Sequence, residues 1–450
     1  MQKNDVFEVI IESTGFEGEG IARIDGIPVF VRYAAEGDKA RIRILKVNKN
    51  YAFGKVEEVL EPSPYRRTPA CSVFGKCGGC TMMHIDYDKQ LKVKEQTVTN
   101  NLRKIAHLNT DDYIFDGIIG GNEYNYRNKA QFPLTVEDGK VVCGFYAPNS
   151  HRVVKCDNCN IQDERINKVA DAVLQYINEN NISVYDEKTG KGLVRHIYVR
   201  TSRSGGVMAV IVANSKKELP AKDKLIEKLS AVDGVESIVQ NINTRADNVV
   251  MGYENITLWG KDKIELNLSN LKFNVSPNSF FQVNINQTEK LYAEALEYAN
   301  LTGEETVFDL YCGVGSISLY MAKKALKVYG VEIVEDAVVN AKENAKLNGI
   351  TNAEFYAGDC TEVVEKLMAD GINADVVVVD PPRKGCDAKL LELISTISPK
   401  RLVYVSCNSS TLARDVDELK KYGYHLDRVT AIDMFPQTTH VECVVRLCRT

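Results

Sequence analysis

The stretch 307-VFDLYCGVGSISLYMA-322 decides the fold. It opens as an apolar strand, turns at Gly313-Val314-Gly315 and continues as an amphipathic helix. Glycines at such a turn let the backbone approach a ligand at the strand's carboxyl end, where open α/β sheets bind ligands. Outward from it the pattern repeats. The runs KVYGVEI, AEFYAG, ADVVVVDPP and RLVYVSCN are buried-type strands, each followed by a helical stretch. Regular alternation of this kind, from about residue 285 onward, predicts an α/β, doubly wound, Rossmann-like sheet.

Towards the N-terminus the pattern changes. Residues 126 to about 275 mix strands such as LVRHIYVR and VMAVIVAN with helices such as KVADAVLQYINEN, which predicts an α+β region. Residues 1–62 read as about five short strands punctuated by Gly and Asp, the pattern of a small oligonucleotide-binding-type barrel. Three domains follow: a β-barrel at 1–62, a central α+β domain at 63–275 carrying a cysteine cluster, and a catalytic domain at 276–450. A helical segment at about 93–122 is expected to pack with the catalytic domain.

The bulk numbers exclude several classes. The chain has 450 residues, 44% hydrophobic and 26% charged, as soluble globular proteins do. No apolar run approaches the ~20 residues of a bilayer span, and the N-terminus lacks a secretory apolar core, so a cytoplasmic protein is expected. In that compartment its twelve cysteines are better suited to metal ligation or catalysis than to disulfides. A net charge of −5 speaks against indiscriminate coating of nucleic acid. Yet between Lys39 and Arg67 eight basic residues (Lys39, Arg41, Arg43, Lys46, Lys49, Lys55, Arg66, Arg67) face three acidic ones (Glu57, Glu58, Glu61). This surplus reads either as a phosphate footprint or as a solvated β-surface.

Beyond the glycine turn, Glu332 ends the next strand, placed to accept from both ribose hydroxyls of a bound adenosine, and Asp359 follows a third strand, where such folds hold the adenine amine. No Gly-Lys-Ser/Thr phosphate loop occurs in this run, which favours S-adenosylmethionine over a nucleoside triphosphate. Three polar groups then fall at later strand ends: Asp380 before Pro381-Pro382, Cys407 in Ser-Cys-Asn, and His440 with Glu442 in the last strand region. That set suits methylation of uracil C5. The chemistry needs a thiolate to add at C6, a base to take the C5 proton, and groups to hold O4 and N3.

The signatures 380-DPPRKG-385, 404-YVSCN-408 with Thr411, and 433-DMFPQTTHVE-442 resemble the RNA uracil-5-methyltransferase family over essentially the whole chain. The glycine and apolar pattern of residues 1–62 resembles the TRAM domain, an RNA-binding barrel. The resemblance implies that Cys407 is the nucleophile and Glu442 the base. It also implies that Gln282 (in 276-SPNSFFQV-283), Tyr311, Glu332 and Asp380 line the cofactor and uracil pocket, beside Gly313, Gly315 and Asp359. Ser409 departs from the pattern, because many relatives carry proline there.

The cysteines Cys71, Cys77 and Cys80, with Gly78-Gly79 between the last two, are dense enough for a metal site, with Cys156 or Cys159 as the fourth ligand. Spacing alone leaves a zinc ribbon open, pairing Cys77 and Cys80 with Cys156 and Cys159. The resemblance implies a [4Fe–4S] cluster on Cys71, Cys77, Cys80 and Cys159. The expected activity is methylation of a uridine in 23S ribosomal RNA by a monomeric enzyme with no membrane or DNA partner. A transfer-RNA enzyme and a non-catalytic RNA-binding protein are the alternatives. A radical enzyme would need Cys-x3-Cys-x2-Cys, and amino-methylating enzymes carry tyrosine where this chain has Arg383 and lack a cysteine nucleophile.

Overall fold

Short Val- and Ile-rich runs that bury both faces belong inside parallel sheets covered by helices, and four of them form the middle of an eight-stranded sheet. In the computed structural model, which describes residues 1–449, that sheet runs, edge to edge, Ala353–Ala357, Lys327–Glu332, Thr306–Leu310, Val376–Val379, Arg401–Ser406, Glu442–Arg449, Tyr424–Ile432 and Ile114–Ile119. The first five strands are mutually parallel. Glu442–Arg449 then inserts antiparallel to both its neighbours, so the sheet is mixed rather than wholly parallel.

The edge strand Ile114–Ile119 comes from a segment far upstream of the other seven. Just before it, the helix Tyr87–Ile105 ends with Val98 and Leu102 fully buried in the same core as Phe308, Leu310 and Tyr404.

The chain divides into two compact units. One comprises Met1–Thr97, Phe145–Cys156 and Phe435–His440; the other comprises Val98–Gly144, Asp157–Met434 and the described residues from Val441 on. The first contains a six-stranded antiparallel and parallel barrel sheet, residues Val6–Glu61, closed around Ala22, Val29, Val31, Ile42 and Ile44. The second contains the eight-stranded sheet and the middle strands of a seven-stranded one, Lys129–Glu137, Val194–Thr201, Val207–Ala213 and Val235–Ile242. Among the described residues no helix is long and apolar enough to cross a membrane.

Close packing fixes one glycine inside the cofactor sheet. A Cβ on Gly330 would stand 2.6 Å from the Phe355 ring and 3.0 Å from Cys312 Sγ. Gly330→Ala is therefore expected to cost about 1–3 kcal/mol by overpacking, read as a lower denaturant midpoint with an unchanged slope.

Candidate active site

Strand Thr306–Leu310 lies between Lys327–Glu332 and Val376–Val379, and the order of strands reverses there. Connections leaving in opposite directions open a crevice at the carboxyl ends, the usual ligand position in such sheets. Tyr311, Gly313 and Gly315 all take left-handed backbone here, with φ of +72, +54 and +82°. The amides of Tyr311 and Cys312 both donate to the Val331 carbonyl at 3.0 Å, which fastens the turn to the next strand. A side chain on Gly315 would press on the Phe355 ring at 3.0 Å, whereas a Cβ on Gly313 would meet nothing within 4 Å. Gly315 thus serves packing, and Gly313 faces open space. An aromatic residue at φ +72° stores strain of about 1–3 kcal/mol, as ligand-holding turns often do.

The Glu332 carboxylate accepts the Gly313 amide on one oxygen and the Val334 amide on the other, each at 3.0 Å. Both oxygens keep a further lone pair for ribose hydroxyls. Asp359 is exposed and caps helix Cys360–Ala369, accepting from the Thr361 amide at 2.9 Å and the Glu362 amide at 3.4 Å through Oδ1. Capping accounts for its presence without a ligand, and only Oδ2 is left for one. Gln282 is half-buried on the loop after strand Leu271–Val275, where its carbonyl accepts from Asn128 Nδ2 at 3.1 Å. These donor and acceptor positions fit an adenosyl group.

Strand register brings Cys407 and Glu442 to one end of the sheet. Ser406 pairs with Cys443 in the antiparallel ladder between Arg401–Ser406 and Glu442–Arg449. The ladder ends there, and just beyond it Cys407 feels the carboxyl of Glu442, the first residue of the neighbouring strand. The two loops that complete the site are latched to one another. Asn408 Nδ2 and Thr411 Oγ1 donate to the Arg383 carbonyl at 3.1 and 3.3 Å. Arg414 reaches the Lys384 and Cys386 carbonyls at 2.9 and 3.2 Å. Buried Asp415 accepts from the Cys386 amide at 2.8 Å and the Tyr404 hydroxyl at 2.7 Å. Ser409 opens the helix Ser409–Lys420, and its hydroxyl accepts from Asn101 at 2.8 Å, a bond that proline could not make.

Burial dominates the electrostatics. Glu442, only 4% exposed, is pushed up to about 8, first by burial and then by Asp380. Burial also lifts Asp380 to about 7. The Cys407 thiol is held up at about 11 by burial, Glu442 and Asp380. Arg383 is the cation that acts on both Cys407 and Glu442 in favour of their anions.

Two more groups belong here that sequence reasoning did not single out. Asp309, fully buried, is raised to about 7 by burial; Ser318 donates to its Oδ2, while its Oδ1 has no partner. Tyr292, from helix Ile285–Ala299, bonds Ser316 Oγ at 2.8 Å and feels Asp380, Asp309 and Glu442. The signal for Asp309 was its place as the lone charge in an apolar strand; for Tyr292 there was none. His440 belongs to the first unit, where its ring meets the edge of Phe435 at 6.0 Å between centroids.

In the first unit, half of the basic surplus is matched by carboxylates. Lys39 pairs with Glu61, Arg41 with Glu8 and Glu58, Arg43 with Glu57, and Arg66 with buried Asp38. Among the described residues, Lys46, Lys49, Lys55 and Arg32 join no ion pair. They border an aromatic patch: Phe30 pairs in register with Phe53, which also opposes Lys46, and Arg32 opposes Lys55. Tyr51 completes the patch, its ring 5.9 Å from Phe30 and 5.5 Å from Phe53.

Cys71, Cys77 and Cys80 are partly exposed in the first unit, and Cys159 is partly exposed in the second. Among the described residues no three His, Cys, Asp or Glu side chains gather where they could hold a metal ion.

A TRAM barrel joined to a doubly wound methyltransferase sheet defines the class: an S-adenosylmethionine-dependent RNA methyltransferase. Residues 86–450 match the tRNA (uracil-5-)-methyltransferase family and residues 2–56 the TRAM domain, and the chain belongs to that family. It is 47% identical over 448 residues to an uncharacterized RNA methyltransferase of Clostridium tetani, covering 99% of this chain and 96% of that one. It is 46% identical over 452 residues to another from Clostridium acetobutylicum, covering 100% and 98%. Among solved structures it resembles the tRNA (uracil-54, C5)-methyltransferase of Pyrococcus abyssi in complex with S-adenosyl-L-homocysteine, with a TM-score of 0.77 and 27% identity over 98% of this chain and 100% of that one.

The raised carboxyls make a stability prediction. Each has a folded pKa above its unfolded value, so its contribution is full below pH ~4 and is lost as pH rises through about 7 for Asp309 and Asp380 and about 8 for Glu442. Glu442→Gln cannot ionise. It should raise the melting temperature relative to wild type at pH 9, and by much less at pH 5. Equal shifts at both values would show that Glu442 ionises freely in the folded protein.

Proposed function

We propose that the protein methylates C5 of a specific uridine in 23S ribosomal RNA through a covalent adduct between Cys407 and C6. The observation that carries this reading is that Glu442 and Asp380 both act on the Cys407 thiol just beyond the Ser406–Cys443 pair, beside a strand-end turn suited to an adenosyl group. Gln282, Tyr311, Gly313, Gly315, Glu332 and Asp359 would hold S-adenosylmethionine, which supplies an electrophilic methyl on sulfur.

The Cys407 thiolate adds to C6, and the C5=C6 electron pair moves towards C4–O as an enolate. C5 then forms a bond to the methyl carbon while the carbon–sulfur bond to the donor breaks. Glu442 takes the C5 proton, the C–H electrons restore C5=C6, and the Cys407 thiolate leaves. Burial raises Asp380 to about 7 and Glu442 to about 8, so near neutral pH Asp380 can donate to uracil O4, and Glu442 must release its own proton to solvent before it takes the C5 proton. Arg383 favours the Cys407 thiolate and the Glu442 carboxylate. The uridine must leave its stack to present both faces, so a loop or bulge is the expected site. The barrel would hold flanking RNA, with bases stacking on Phe30, Tyr51 and Phe53 and phosphates near Arg32, Lys46, Lys49 and Lys55.

The cysteine tetrad and the barrel, by resemblance, favour ribosomal RNA. A second reading, a transfer-RNA substrate, is favoured by the family's name and by the Pyrococcus abyssi enzyme's. Mapping methyluridine in ribosomal and transfer RNA from a deletion strain separates the two. We place the enzyme in the cytoplasm, as a monomer.

Cys407→Ala is expected to abolish methyluridine formation while S-adenosylmethionine still binds by calorimetry. Glu442→Gln should accumulate an RNA–protein adduct that survives denaturing electrophoresis. Methylation by Cys407→Ala at the wild-type rate would rule out the covalent route.

A [4Fe–4S] cluster on Cys71, Cys77, Cys80 and Cys159 rests on their spacing and on the resemblance. Protein purified without oxygen should then be brown with about four irons, and Cys159→Ser should lose them. Stoichiometric, colourless zinc would overturn the iron assignment.

A further inference from the structure

The seven-stranded sheet carries two cations with no carboxylate beside them. Lys129 and Arg200 are register partners on the antiparallel strands Lys129–Glu137 and Val194–Thr201, so their side chains share a face. Arg200 is 1% exposed. Its Nε donates to the Tyr198 hydroxyl at 2.9 Å and its Nη2 to the Ser279 carbonyl at 2.8 Å, while Nη1 is buried without a partner. Lys129 is half-buried, and no ion pair joins it to any described carboxylate. Burial, then Arg200, then Arg127 push its ammonium down to about 8. Buried charges are normally paired, because an uncompensated one loses its hydration with nothing in return. Like charges set side by side in the protein alone point to an anion brought by a ligand.

The pair also has a defined place. Ser279, which accepts from Arg200, lies on the same loop as Gln282. Asn128, next to Lys129, donates its side chain to the Gln282 carbonyl at 3.1 Å and its amide to the Val283 carbonyl at 2.8 Å. Lys129 therefore stands at the rim of the loop assigned to the reaction pocket, but on a different sheet from Glu332 and the glycine turn. A nucleotide extruded into that pocket brings its two flanking phosphodiesters with it.

We propose that Lys129, backed by Arg200, is an anion subsite that holds a phosphodiester of the substrate RNA beside the target uridine. Lys129 makes the contact as a compact charge. Arg200 is a positioning residue, fixing the loop through Ser279 and supplying field from behind. This rests on RNA being the substrate, as proposed above.

Lys129→Gln and Lys129→Arg test it, with RNA binding and methylation measured across a potassium chloride series and S-adenosylmethionine affinity by calorimetry. Lys129→Gln should raise the KM for RNA several-fold, far more than it lowers kcat, and should reduce the salt slope of binding by about 1. Cofactor affinity should not move, and Lys129→Arg should restore RNA binding. A single methylphosphonate beside the target uridine should weaken wild-type binding and add little to Lys129→Gln. Unchanged RNA affinity and slope in Lys129→Gln would overturn the proposal, as would weakened cofactor affinity alone. Because binding is read without turnover, failure of the methylation reading, in which wild type makes no methyluridine, is distinguishable from failure of this subsite.

Discussion

The antiparallel insertion of Glu442–Arg449 between Arg401–Ser406 and Tyr424–Ile432 is the constraint on which the site depends. A parallel strand in that position would arrive from the other end of the sheet and leave Glu442 far from Cys407. Running antiparallel, the strand begins where its neighbour ends, with Cys443 paired to Ser406, so Glu442 comes close enough to act on Cys407. The backbone hydrogen bonds of the ladder therefore bring these two side chains together. A one-residue slip would turn Glu442 to the opposite face. The latch of Asn408, Thr411, Arg414 and Asp415 on the 383–386 loop then holds the third group, Asp380, near the other two.

Dryness sets the protonation of that arrangement. Asp309, Asp380 and Glu442 all lie above the usual carboxylate range chiefly because they are buried, and Asp380 raises both Asp309 and Glu442 further. The same burial, with Glu442 and Asp380, raises the Cys407 thiol to about 11, so it stays protonated near neutral pH. Such shifted groups gathered at a strand-end crevice mark a reaction centre more strongly than any one of them does. Their mutual repulsion is tolerated because protonation relieves it near neutral pH.

On the barrel, opposite effects share one surface. Arginines and glutamates on adjacent strands neutralise each other, and exposed pairs of that kind add little stability. What remains available is a smaller face, where Phe30, Tyr51 and Phe53 lie among unmatched cations. Counting charges along residues 39–67 cannot distinguish the two, because the matching carboxylates Glu8 and Asp38 lie outside or apart from the basic residues in the chain.

Local pattern determined the alternating strands and helices after residue 285, the glycine turn, and the strand-end positions of Glu332, Asp380 and Cys407, because each is written in contiguous residues. The barrel was legible for the same reason, through its period-two runs. Partnerships across the chain were not. The edge strand Ile114–Ile119 joins a sheet whose other members begin at Thr306. Asp359 also caps a helix, a contact its place at a strand end did not announce. Tyr292 sits mid-helix with nothing local to mark it, and only the packing of that helix across the sheet brings it to Asp380 and Glu442. Sequence specifies local conformation through short-range sterics and hydrophobic period. Burial, register and the fields of distant charges exist only once the chain has closed on itself.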